Sequence, residues 1–140
     1  MVDTVRTWAA LQTSLHDNTT GDILPQNLRD AILTALMYAG PFSGSIDFPT
    51  NQSYTVDFQA TEAYTINKLF IQTVSGTCTV AIQINGVSVT GLSAVAVSST
   101  LSQPTASGAN SVAIGNNVTL VVSGATSPQN MSFKITRTPA

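Results

Sequence analysis

His16 and Asp17 stand side by side, and a carboxylate that fixes the tautomer of an imidazole is half of an acid–base device. Adjacent residues seldom bond side chain to side chain in that way, and this pair opens the turn His16-Asp-Asn-Thr-Thr-Gly-Asp22. Turn formation is the better account. The stretch Asp17 to Asp22 also begins like a calcium loop, which needs oxygen ligands at its third and fifth positions and a glutamate at its twelfth. Thr19, Gly21 and Leu28 stand there instead, so capping and turn formation again explain it better. Asp47 and Asp57 are the residue type that cleaves glycosidic bonds in pairs, and nothing specific in their surroundings favours that use.

The acids Asp3, Asp17, Asp22, Asp30, Asp47, Asp57 and Glu62 all precede Lys68, and His16 is the one histidine, so a metal site would have to be completed from scattered carboxylates. No Gly-x-Ser-x-Gly elbow and no phosphate-cradling glycine loop with lysine occurs. The expectation is a protein with no catalytic residues, no metal and no cofactor. The aromatic residues Trp8, Tyr38, Phe42, Phe48, Tyr54, Phe58, Tyr64, Phe70 and Phe133 are the residue types that could include a sugar-stacking platform. Most alternate with polar residues at strand spacing, which favours packing in the core or between subunits.

Those residues must be positioned by elements whose composition is unusual in charge. Charged residues make up 9% of the chain, against roughly 25% in ordinary globular proteins, and none lies between Lys68 and Lys134. That uncharged half is dense in Val, Ile and Leu separated by Thr, Ser, Asn and Gly, so it folds and presents hydroxyls and amides to its surroundings. The basic residues Arg6, Arg29, Lys68, Lys134 and Arg137 are scattered, which excludes a nucleic-acid footprint. A surface so poor in charge is expected to be covered in part by copies of the same chain or by a larger assembly. No stretch reaches the roughly 20 apolar residues of a membrane span. The polar start Met-Val-Asp-Thr-Val-Arg-Thr-Trp lacks the apolar run of a signal peptide, so synthesis in the cytoplasm without secretion is expected.

Residues 1–41 read as a helical hairpin. Asp3 or Thr4 caps a first helix whose apolar stripe is Val5, Trp8, Leu11 and Leu15. Pro25 suits the first position of a second, whose stripe includes Leu28, Ile32 and Leu36, and Gly40-Pro41 ends it. Two helices this short are not stable alone in water, so they must pack on the β domain, on each other in neighbouring copies or on a host structure, and anchoring or oligomerisation is the expected role of the hairpin.

From Phe42 to residue 140 the period changes to two, and the expected fold is mainly β, an antiparallel β-sandwich of jelly-roll type with about eight strands. The clearest signal is Gly76 to Thr90. Cys78, Val80, Ile82 and Ile84 form one apolar face, Asn85-Gly86 supplies a type I′ turn, and Val87 and Val89 resume the alternation. Cys78 reads as a small buried hydrophobe. The other expected strands are Ser45–Phe48, Tyr54–Phe58, Tyr64–Val74, Val95–Leu101, part of Val112–Ser123 and Met131–Thr136, with Met131, Phe133 and Ile135 inward. Ser99 to Ala109 reads as the longest loop.

The segment Asp17-Asn-Thr-Thr-Gly-Asp-Ile-Leu-Pro-Gln-Asn-Leu-Arg-Asp30 resembles one near the N-termini of tail-fibre and other structural proteins of tailed bacteriophage virions. Leu24 stands where such segments often carry a capping Thr, and Asn27 where Asp is common. The second half, from Ala63-Tyr-Thr-Ile through Ser75-Gly-Thr-Cys-Thr-Val-Ala-Ile-Gln-Ile-Asn-Gly86 to Val118-Thr-Leu-Val-Val-Ser123, is similar to β modules of phage minor structural proteins. The resemblance implies a non-enzymatic virion subunit, assembled in the host cytoplasm, whose partners are its own copies, commonly as a homotrimer, and capsid, neck or tail proteins. A fibre, spike or neck appendage is the first expectation. A capsid decoration (cement) protein and a glycan-binding host-attachment module are the alternatives.

Overall fold

The computed structural model describes residues 40–140. The chain divides between Tyr38 and Ala39. The helical hairpin with Val5, Trp8, Leu11, Leu15, Leu28, Ile32 and Leu36, the His16-Asp17 pair and the Asp17 to Asp22 turn lie outside the described residues.

The described residues form nine strands: β1 (Phe42–Ile46), β2 (Ser53–Asp57), β3 (Tyr64–Gln72), β4 (Ser75–Ile84), β5 (Val87–Ser88), β6 (Val95–Val97), β7 (Ser111–Val112), β8 (Val118–Gln129) and β9 (Met131–Pro139). They pair antiparallel throughout, in two sheets. The first has the order β1-β9-β3-β7, and the second β2-β8-β4-β5 with β6 also on β4. The chain crosses between sheets at β1–β2, β2–β3, β3–β4, β6–β7, β7–β8 and β8–β9, giving a β-sandwich-like architecture around one shared core.

Period-two patterning builds that core. From β4, Cys78, Val80, Ile82 and Ile84 point inward as expected; Val118, Leu120 and Val122 of β8 join them. The first sheet contributes Tyr64, Ile66, Leu69 and Ile71 from β3 and Met131 and Ile135 from β9, with Phe133 packed at the core's margin. The step from Ile66 to Leu69 breaks the alternation because a bulge lies between Ile66 and Lys68, which keeps both sides of the break facing inward. Burying each aliphatic side chain stabilises the fold by about 1.5–3 kcal/mol.

Several elements depart from the expected bounds. Asn85 and Gly86 have φ of 48° and 84°, the pair of positive angles a type I′ turn requires. The return strand, however, is only Val87–Ser88, and Val87 is exposed. Thr90 leaves β4 because its N–H donates to Gly108 O at 2.8 Å while its own carbonyl accepts Ser107 N at 2.8 Å. Strand β1 starts at Phe42 and ends at Ile46, so Asp47 and Phe48 fall outside it. The stretch Val112–Ser123 is divided between sheets by the turn at Gly115, and β8 continues to Gln129 through Gly124 and Ser127, both at positive φ.

The expected loop Ser99 to Ala109 runs along the edge of β3. Ile71 N–H donates to Ser102 O at 3.0 Å, Ser102 N–H to Ile71 O at 2.9 Å, Leu69 N–H to Pro104 O at 3.0 Å and Ala106 N–H to Asn67 O at 2.8 Å. Pro104 has no N–H, so the ladder is broken into isolated bridges instead of forming a strand. It still covers an edge that would otherwise recruit another chain.

Candidate functional site

Three connections between the sheets meet at one end of the sandwich: the loop 47–52, the turn at Thr73-Val74 and the turn at Asn130. Backbone bonds tie them together. Asn130 N–H donates to Asp47 O at 2.7 Å, Val74 N–H to Gln129 O at 2.9 Å and Val122 N–H to Gln52 O at 2.9 Å. Side chains fix the first loop further, since Asn51 Oδ1 accepts Ala125 N–H at 2.9 Å and Tyr54 Oη accepts Thr50 N–H at 2.9 Å. Gly76 makes the close approach possible. Its φ is 72°, and a Cβ there would overlap the Ser127 carbonyl.

These loops enclose an open groove of about 480 Å³ lined by Phe48, Pro49, Thr50, Asn51, Ala125, Ser127, Pro128 and Gln129. Pro49 and Pro128 are buried and form its base, whereas Phe48 is 74% exposed. No lining residue is charged. The sequence pattern placed Phe48 inside a strand. The signal against that was Pro49-Thr-Asn51 directly after it, a turn composition that ends the alternation.

The opposite end holds the one ionic cluster among the described residues. Arg137 lies over the rings of Phe42 and Tyr64, at 4.2 and 4.6 Å from their centroids, and pairs with Glu62 at 2.8 Å. Its Nε donates to Gly40 O at 3.0 Å, which pins the chain just ahead of β1. Tyr64 is fully buried, and its hydroxyl donates to Asp57 Oδ2 at 2.7 Å. Burial, then that hydrogen bond and the carboxylate's charge, push the Tyr64 pKa well above its ordinary value. Every group here is satisfied by another, so the cluster is a structural clamp. Asn85, Asn116 and Asn117 bind the nearby loops in the same manner: Asn85 Nδ2 donates to Asn116 Oδ1 at 2.9 Å, and Gln59 N–H to Asn117 Oδ1 at 2.9 Å.

This layout separates the two carboxylates considered for glycoside cleavage. Asp47 bonds to the residue that follows the C-terminal end of β8, while Asp57 pairs with Val118 at its N-terminal end. At the rise of an extended strand that is a separation on the order of 30 Å, against less than about 10 Å for such a pair. They do not form one site. Cys78 is buried, and burial pushes its thiol pKa up, away from reactivity. No group of three or more potential metal ligands occurs among the described residues, and no helix among them is long and apolar enough to cross a membrane.

The outer face of the second sheet is the other extended feature. Thr79, Ala81 and Gln83 of β4 face outward beside Ser123, Val121 and Thr119 of β8, with Ser53 and Thr55 of β2 beyond them. The only charged residue in the strands of this sheet is Asp57, whose carboxylate is engaged by Tyr64. Compared with known proteins, the chain matches no family model, no curated protein and no solved structure.

Proposed function

We propose that this chain is a non-enzymatic structural subunit of a bacteriophage virion, a homotrimeric fibre, spike or neck appendage in which copies of the chain cover the neutral outer face of the second sheet. The observation that carries the reading is that face, an array of Thr, Ser, Ala, Val and Gln with no charge upon it. Charged side chains cost most to desolvate at the centre of an interface, and interface cores are depleted in them. A sheet whose outward residues are small and neutral meets that condition without rearrangement. The jelly-roll reading is supported by the strand order, in which β1-β9-β3-β7 lies opposite β2-β8-β4-β5 and the chain changes sheet at every step except from β4 through β6. In this reading the stripes of Val5, Trp8, Leu11, Leu15, Leu28, Ile32 and Leu36 dock the subunit to capsid, neck or tail proteins or share in trimerisation, and the protein is assembled in the host cytoplasm into the virion.

The test is the mass of the protein in solution by light scattering, for the full chain and for residues 40–140. A trimer in both forms supports an appendage whose copies meet on the sheet, whereas a trimer that falls to a monomer on truncation moves the contact to the N-terminal segment and overturns the neutral face as the interface. A monomer in both forms removes the trimer and leaves a decoration protein ordered by the capsid lattice.

A further inference from the structure

We infer that the groove beside Phe48 is a binding site for a neutral saccharide. This goes beyond the assembly reading and does not depend on it, since every lining residue named above comes from one copy.

The argument starts from Phe48, a large apolar ring 74% exposed to water on a backbone that is not free to bury it. Asp47 O is held by Asn130 N–H at 2.7 Å on one side, and Thr50 N–H by Tyr54 Oη at 2.9 Å on the other. Pro49 between them is buried and fixes the local φ. A ring presented in this way meets a ligand with little loss of conformational freedom, which is the condition for useful affinity from a small contact.

The rest of the lining supplies hydrogen-bonding groups and no charge. Asn51 spends Oδ1 on Ala125 N–H, which fixes the amide and leaves its Nδ2 donors uncommitted among the described residues. The Ser127 hydroxyl and the Gln129 amide likewise have no protein partner among the described residues, and both lie on the exposed rim. A pyranose ring has an apolar C–H face, which stacks on an aromatic ring, and hydroxyls around its edge, which take up amide and hydroxyl partners. The groove offers both sides of that match. A phosphorylated or sulfated ligand would find no cation in the lining. A proline-rich peptide needs a slot between aromatic walls, and Phe48 is the one aromatic residue here. The volume of about 480 Å³ falls within the roughly 300–1,000 Å³ of small-molecule sites and has room for a short oligosaccharide.

Phe58, also 74% exposed, is an internal control because it does not line the groove. The experiment is an amide NMR titration of the isotope-labelled full chain with maltohexaose, laminarihexaose and chitohexaose as neutral probes and a heparin hexasaccharide as the anionic one. Saturable shifts confined to residues 48–51 and 125–129 are expected with at least one neutral probe and none with heparin. Phe48→Ala should weaken binding about tenfold, Phe48→Trp should retain it, and Phe58→Ala should leave it unchanged. Absence of shifts with all three neutral probes overturns the assignment. So does a response to heparin alone, binding that is as tight in Phe48→Ala as in the parent, or an equal loss in Phe58→Ala. Light scattering reads the assembly separately, so a failure here leaves that reading intact.

Discussion

Tyr64 joins the two sheets through a single bond, its hydroxyl donating to Asp57 Oδ2 at 2.7 Å from a fully buried ring. Tyr64→Phe removes that bond and should cost about 1–3 kcal/mol in chemical denaturation. The pH dependence follows from the direction of its pKa shift. Burial first, then Asp57, raises the native pKa above the unfolded value, so the native state holds its proton after the unfolded chain has lost it. The associated stability is fully present below about pH 10 and declines as pH rises further. Cys78 has the same sign, so the parent protein and Tyr64→Phe should both lose stability between about pH 8 and about pH 11, the variant by less. Equal losses would remove Tyr64 from the explanation. Two glycines separate backbone freedom from space: Gly86 at φ 84° has nothing near its missing Cβ, whereas Gly76 at φ 72° faces the Ser127 carbonyl. Gly86→Ala should cost about 1 kcal/mol and Gly76→Ala about 2–3 kcal/mol, read from denaturation midpoints.

Among the elements, the segment 98–110 decides whether the β3 edge of the first sheet is open. Ser102 both donates to and accepts from Ile71, so Ser102→Pro removes one of the bonds that hold the segment on β3. The expected result is a loss of about 1–2 kcal/mol together with aggregation that rises with protein concentration, measured by denaturation and turbidity. Aggregation no different from the parent would show that the segment does not protect the edge. This element was not legible in the sequence, because Ser, Thr, Pro and Gly mark a loop locally while the bonds that order it reach back to β3. The β4 hairpin was legible for the opposite reason. Its alternation and its Asn85-Gly86 turn are local signals that agree with each other. The end of β8 fell between these cases, since Gly124 and Ser127 carry the positive φ that sequence patterns assign to turns. The groove was hidden as well. Its two walls, residues 48–51 and 125–129, are distant in sequence and meet only because β2 pairs with β8.

At the scale of the molecule, the uncharged stretch between Lys68 and Lys134 was visible in composition, but which surface it makes was not. Pairing places Thr79 beside Ser123, Ala81 beside Val121 and Gln83 beside Thr119, and so assembles one neutral face from strands that are far apart in the chain. That face is the centre of the proposed assembly, and Ala81 lies within it with its neighbours Val80 and Ile82 buried on the other side. Ala81→Lys adds a charge there without touching the core, and lysine on an exposed strand position has little effect on folding. The direct measurement is sedimentation equilibrium of the full chain beside its Ala81→Lys variant, with the denaturation midpoint as a check on folding. The parent should sediment as a trimer and the variant should associate at least about tenfold more weakly at an unchanged midpoint. A parent that remains a single chain, or a variant that assembles as tightly as the parent, would contradict the proposal that copies of this protein meet on the neutral face.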